Sequence, residues 1–392
     1  MTGPSFLMPN YAPPPVTFVR GEGSRLWDVD GKEYLDFLGG LAVTSLGHSH
    51  PAVAAAVAEQ ARTLLHVCNL FGTTVGPEVA ETLDRLIGGP AGQIFFCNSG
   101  AEANECAIKL ARKWGGGAGR GPKGHTRHGV VSTYGSFHGR TLAALAATGQ
   151  PTKHEPFQPL PEGFRHVALG DVEAMDAAVD PSVVGAVLLE PIQGEGGVNV
   201  PPKGWFAEVR RICDERDVLL VLDEVQTGLG RTGAWFGFQH EGIQPDVVTM
   251  AKALGNGMPI GACWARADVA SAFVPGDHGT TFGGQPLAAA AARATLAVME
   301  AEDVPARARR AGARLAEGLA ELPGVTSVRG RGLLLAAELD GRPSKDVNAA
   351  ALARGLVVNA VTPTAIRLAP SLLVADAELD QALAILEAVL SC

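Results

Sequence analysis

Two kinds of apolar segment alternate along the chain. Near the amino terminus, residues 16–20, 25–28 and 33–37 are short and mixed in character, and they predict strands joined by Gly21-Glu22-Gly23 and by the Asp30-Gly31 turn. From Pro51 to about Gly255 the pattern changes to helical periodicity broken by uninterrupted apolar runs at 94–97, 130–133, 184–189, 218–222 and 247–250. A strand with one wet face alternates apolar and polar residues. These runs do not, so they suit strands buried on both faces, as in a parallel sheet covered by helices. Residues 286–300 are Ala-rich with Pro at the first turn and predict a long helix. A second helix is expected over 307–322, stopped by Pro323-Gly324. Strand and helix then alternate over 333–339, 345–354, 356–361, 366–368 and 376–390. The order predicts an α/β protein. A large domain over 51–290 has a mostly parallel central sheet, and a small α+β domain is built from both chain ends, 1–50 and 291–392.

Composition narrows the function classes. The 392 residues are 46% hydrophobic and 19% charged, enough to bury a sizeable core. A formal charge of −9 opposes phosphate backbones and anionic lipid, so neither nucleic acid nor a membrane is an expected partner. The six cysteines form no CxxC or Cys/His cluster, so no metal site or disulfide framework is indicated. The amino terminus lacks a basic segment followed by an apolar stretch, and no run approaches a membrane span. A reducing cytoplasm is the expected compartment. Glycines 115, 116, 117, 119 and 121 follow a helix without a Gly-Lys-Ser/Thr ending, which reads as a surface loop rather than a P-loop. Arg307, Arg310 and Arg314 share a helix face and read as solvated.

Three segments carry candidate chemistry. In QIFFCNSGAEANECAIKLARKW a strand runs into Ser99-Gly100-Ala101-Glu102, with Ser99 at the N-cap and Glu102 three residues on. Such a tight helix entry leaves backbone N–H groups at a positive terminus, which is either a phosphate site or an ordinary capped helix. In VLLVLDEVQTGLGRTG, Asp223 and Glu224 follow an apolar strand, at the carboxyl edge where open α/β sheets bind ligands. A carboxylate there can hold a metal, act as a base or pair with a protonated ring nitrogen. In DVVTMAKALGNGMPIGA, Lys252 follows another buried strand. Burial lowers an amine from about 10.4 and frees it to form a Schiff base, although a structural lysine is the alternative.

Together these are a phosphate cradle, a carboxylate for a pyridinium and a Schiff-base lysine, the parts that pyridoxal 5′-phosphate (PLP) chemistry needs. The chain resembles the class III aminotransferases of the fold-type I PLP superfamily. The resemblance runs from LGGLAVTSLGHSHP to AIRLAPSLL.

That resemblance implies roles position by position. Ser99, Gly100 and Ala101 would hold the cofactor phosphate. Phe137 of YGSFHGRT would stack on the ring, and Arg140 would hold the substrate α-carboxylate. In DEVQ, Asp223 would meet the ring nitrogen, Val225 would pack on the other face and Gln226 would reach the 3′-oxygen, with Glu224 counted among the cofactor-binding residues. Lys252 would carry the cofactor. In HGTTFGG, Thr281 would reach the phosphate of a neighbouring subunit and Thr280 would lie beside the substrate, which implies a homodimer with shared sites. Glu195 of QGEGG and Arg367 of AIRLAPS match a glutamate that releases an arginine when a dicarboxylate enters.

The resemblance also implies a ping-pong exchange with 2-oxoglutarate. Ornithine-specific members place a tyrosine at the position of Leu41. Leu41 cannot read a free α-amino group, so N2-acetyl-L-ornithine is the expected donor. N-acetyl-L-glutamate 5-semialdehyde and L-glutamate are then the expected products, as in arginine biosynthesis. Lys252, lowered to about 7–8, would move the proton. Ornithine, succinylornithine, succinyl-diaminopimelate or 4-aminobutyrate are the alternative donors, and a non-catalytic binding protein is the remote one. A serine hydrolase using Ser136 and His138 lacks the Gly-x-Ser-x-Gly elbow, and His240-Glu241 lacks the second histidine of a zinc protease.

Overall fold

The computed structural model describes residues 6–116 and 127–391. The glycines at 117, 119 and 121 lie outside the described residues.

A seven-stranded sheet forms the centre. Its order is Gly92–Cys97, Gly261–Arg266, Val247–Met250, Leu219–Asp223, Val184–Leu189, Gly129–Thr133 and Phe164–Val167. All residues of Val184–Leu189 and of Leu219–Asp223 are buried, as expected for strands covered on both faces. The sheet is parallel except for Gly261–Arg266, which runs against both neighbours. Two of these strands were not anticipated. Gly261–Arg266 directly follows the glycine-rich turn after Lys252, and Phe164–Val167 is a polar edge strand that lacks the continuous apolar run.

The helix Gly100–Gly115 crosses one face of this sheet. The helix Pro286–Ala301 packs against Pro51–Thr63 and Val75–Ile87. Its buried residues include Ala289, Ala290, Ala291 and Ala292, small enough for close approach of its neighbours.

Both chain ends build the smaller α+β part. Phe18–Glu22, Arg25–Asp28 and Glu33–Asp36 form an antiparallel meander, which Leu356–Val357 extends in parallel. A second four-stranded sheet contains Val325–Arg331, Leu334–Leu339, Ala365–Leu368 and Asn359–Thr362. The single strand expected over 356–361 is therefore two, interrupted at Val358, and each half enters a different sheet. Val325–Arg331 was not anticipated either; most of its residues are only partly buried, and it carries two arginines.

One buried cation ties these parts together. Arg231 is 1% exposed and has no carboxylate partner among the described residues. Its guanidinium donates to Leu333 O at 3.1 Å, Pro370 O at 2.5 Å and Ser45 Oγ at 3.0 Å. Burial pushes it down to about 9. Neutral acceptors from both chain ends thus hold a charge contributed by the turn region that follows Leu219–Asp223.

Candidate active site

The carboxyl ends of the parallel strands open into a ligand-sized cavity of about 370 Å³. Asp223 is the last residue of its strand, and its register partner is Thr249 on the next strand, three residues before Lys252. Lys252 has φ +43°, a left-handed conformation costly for a side-chain-bearing residue and typical of functional positions. Burial lowers its amine below the usual lysine value, against the raising pull of Glu195 and Asp223.

Three donors surround the Asp223 carboxylate. Oδ2 accepts from Asn104 Nδ2 at 2.7 Å and from His138 Nδ1 at 2.8 Å, and Oδ1 accepts from Val225 N at 3.0 Å. His138 Nε2 in turn meets Ser132 Oγ at 3.0 Å. The carboxylate next to Nδ1 fixes the proton on that nitrogen. Ser136 lies in the same buried network, 3.1 Å from Ser132, so it is not presented as a nucleophile.

At the opposite end of the motif series, Ser99 Oγ accepts from Glu102 N at 3.2 Å. The Glu102 carboxylate reaches back to Asn98 rather than to the N-cap. The next amides, Gly100 and Ala101, find no acceptor among the described residues and open on the cavity at a helix N-terminus. A Cβ on Gly100 would stand 2.8 Å from Val225 Cγ1, so only glycine lets these two walls meet. Free amides, a fixed carboxylate and a buried amine around one cavity suit the phosphate, the ring nitrogen and the aldehyde carbon of PLP respectively.

An ion pair backs one side of the cavity: Glu195 lines it, and Arg367 lies behind Glu195, off the cavity wall. Arg367 is 1% exposed, and its Nη1 donates to Glu195 Oε1 at 2.6 Å and to Gln226 Oε1 at 3.1 Å. Gln226 Nε2 reaches Glu195 Oε1 at 3.3 Å. Burial works to raise the Glu195 carboxyl, but the Arg367 charge and hydrogen bond prevail and lower it. Gly194 gives Gln226 its place, since a Cβ there would lie 2.0 Å from Gln226 Oε1.

The structure brings Ser99, Gly100, Ala101, Asp223, Val225, Gln226 and Lys252 to the cavity wall, with Phe137, Arg140 and Glu195. Arg140 stands 5.5 Å over the Phe137 ring. Glu224 is a correction. Its carboxylate accepts from Gly237 N and Phe238 N, both at 2.9 Å, and from Thr227 Oγ1, away from the cavity. Successive residues at a strand end point to opposite faces, so Asp223 and Glu224 cannot both face the ligand. Leu41 does not line the cavity either; Val43 supplies the apolar contact of that segment. Thr280 bonds weakly to Asn98 on the cavity wall, at 3.4 Å. Thr281 lies in a separate groove with Leu70 and Phe71.

Sequence reasoning missed Asn104, His138 as a partner of Asp223, and Glu190. Glu190 is buried on the cavity wall, and its carboxylate accepts from Phe137 N at 3.0 Å and Gly194 N at 3.3 Å. Burial, and then the Asp223 charge, push it well above the usual carboxyl range. A signal existed for His138, which sits between two predicted site residues.

Residues 6–390 match the Aminotransferase class-III family. The chain is 50% identical over 387 residues to the acetylornithine aminotransferase of Mycobacterium tuberculosis, covering 98% of this chain and 94% of the relative. The ornithine aminotransferase of Toxoplasma gondii superposes with a TM-score of 0.93 at 36% identity, covering 98% of this chain and 92% of that one. The N-acetylornithine aminotransferase of Stenotrophomonas maltophilia does so with a TM-score of 0.83 at 38% identity, covering 97% and 96%. The chain belongs to the class III aminotransferases and is a PLP-dependent enzyme of that family.

Proposed function

We propose that the enzyme transfers the δ-amino group of N2-acetyl-L-ornithine to 2-oxoglutarate, giving N-acetyl-L-glutamate 5-semialdehyde and L-glutamate, a step of arginine biosynthesis. The observation that carries this reading is the Glu195–Arg367 pair, 2.6 Å apart: Glu195 lines the cavity with Lys252 and Asp223, and the buried Arg367 stands behind it. A transaminase must admit two unlike partners at one site. With Glu195 in place, Arg367 is neutralised and the wall accepts an ω-amino chain. With Glu195 displaced, the fork is free for the distal carboxylate of a dicarboxylate.

The remaining roles follow from position. The Gly100 and Ala101 amides and the Ser99 hydroxyl would hold the phosphate, and Phe137 and Val225 would flank the ring. Asp223, its carboxylate fixed by Asn104 and His138, would keep the ring nitrogen protonated. Bound PLP supplies an electron sink for the carbon that loses its proton. The Lys252 amine, its hold on a proton weakened by burial, would take that proton and return it. Arg140 reads the α-carboxylate at the mouth. Val43 offers no hydrogen bond to a free α-amino group, which favours the acylated donor over ornithine. The exposed Leu70, Phe71 and Phe282 around Thr281 favour a homodimer in which Thr281 serves the neighbouring site. Among the described residues no helix is long and apolar enough to cross a membrane, and the proposed place of action is the cytoplasm.

The test is a comparison of kcat/KM for acetylornithine, ornithine, 4-aminobutyrate and succinyl-diaminopimelate with 2-oxoglutarate as acceptor. Acetylornithine should lead. Ornithine at equal efficiency would overturn the substrate assignment.

A further inference from the structure

The gate at Arg367 has a second hold. Arg367 Nη2 donates to Asn359 Oδ1 at 2.9 Å, on the side of the guanidinium that Glu195 does not occupy. The contact is built by the sheet. Asn359 and Arg367 are direct register partners on adjacent antiparallel strands, so their side chains share a face. The partner across the other edge of Arg367 is Ala336, which leaves that face clear. The pairing slips between Ala360 and Thr362, just beyond Asn359, an irregularity of the kind that re-aims side chains beside sites.

The two holds differ in charge. Glu195 is an anion and cancels the guanidinium charge while it stays. Asn359 is a neutral acceptor, so it fixes the fork without cancelling anything. Arg367 Nε is buried and has no hydrogen-bond partner among the described residues, so the polar hold on this side chain is at its two terminal nitrogens. When Glu195 leaves, Nη1 keeps Gln226 alone among the described residues, and Nη2 keeps Asn359.

We propose that Asn359 is a positioning residue for the dicarboxylate half of the reaction, holding the Arg367 fork aimed while Glu195 is displaced. It acts through Arg367 and has no part in the proton transfer. The inference rests on the proposed exchange of Glu195 for a dicarboxylate. A charged replacement at this position would do what Glu195 does, permanently, and close the site to dicarboxylates.

The experiment uses the PLP-loaded enzyme and its Asn359→Leu and Asn359→Asp variants. Two quantities are read: the KM for each substrate, and the affinity for glutarate, an unreactive dicarboxylate titrated by its effect on cofactor absorbance. Loss of one hydrogen bond to a charged group predicts an increase of about 10-fold in the KM for 2-oxoglutarate and in the glutarate Kd with Asn359→Leu. The KM for acetylornithine should stay within about twofold, because Glu195 pairs with Arg367 in that half. Asn359→Asp should weaken glutarate further still. A merely structural residue would alter both halves together. Glutarate affinity and 2-oxoglutarate KM unchanged in either folded variant would overturn the proposal. An enzyme that prefers ornithine to acetylornithine would sink the donor assignment alone, since the glutarate titration does not depend on the donor.

Discussion

His138 Nδ1 lies 2.8 Å from Asp223 Oδ2, and both side chains are buried. An imidazole held there donates to the carboxylate proposed to meet the ring nitrogen. Asp223→Asn should lower kcat at least about 100-fold, because a neutral amide cannot keep the pyridine protonated. His138→Asn removes one charge-assisted bond and should cost about tenfold. Single-turnover rates with acetylornithine check both, and a His138→Asn enzyme at parental rate would remove that residue from the mechanism.

Lys252→Ala should abolish turnover. Borohydride treatment of the parent fixes the cofactor to the chain, and it should fail to do so in the variant, as mass spectrometry of the denatured protein would show. Covalent fixation elsewhere would mean that another amine holds the cofactor.

Gly100→Ala places a methyl group 2.8 Å from Val225 Cγ1. Valine is stiff at χ1, and overpacking of this sort costs about 1–3 kcal/mol. Cofactor retention after gel filtration should fall about tenfold. The double variant with Val225→Ala should recover much of it by making room.

Glu224 predicts a pH effect away from the chemistry. Burial pushes its carboxyl up to about 7. The folded protein therefore holds a proton that the unfolded chain releases from about pH 4.5 upward, and this group's contribution to stability declines as pH rises through 4.5–7. Glu224→Gln cannot lose that proton. Its stability relative to the parent should improve between pH 5 and pH 8, read from urea denaturation midpoints. A difference that stays constant with pH would contradict the assignment.

The parts of the site written in consecutive residues were legible before the structure. Strand, sharp turn and helix place Ser99, Gly100 and Ala101, and a strand end places Asp223. Glu224 was misjudged by the same local logic, because the alternation of a strand continues for one residue past its end. Asn104 and Asn359 carry no local mark. Each matters only through a residue that folding brings to it: Asp223, 119 positions away in the chain, and Arg367 across a strand register. Leu41 was assigned to the wall in place of Val43, because the positive φ angles at Gly40, Leu41 and Ala42 turn the segment in a way that apolar character does not reveal.

The clasp at Arg231 has a consequence for how the site comes into being. Three of the oxygens that satisfy it belong to Ser45, Leu333 and Pro370. A fragment ending before Leu333 would retain the cation and one hydroxyl, leaving a buried charge nearly bare, at a cost of several kcal/mol. In chain order, Asp223 and Lys252 both come more than one hundred residues before Pro370. The clasp therefore closes only once Pro370 is in place, so the segment that follows Asp223 depends on nearly the whole chain for its burial.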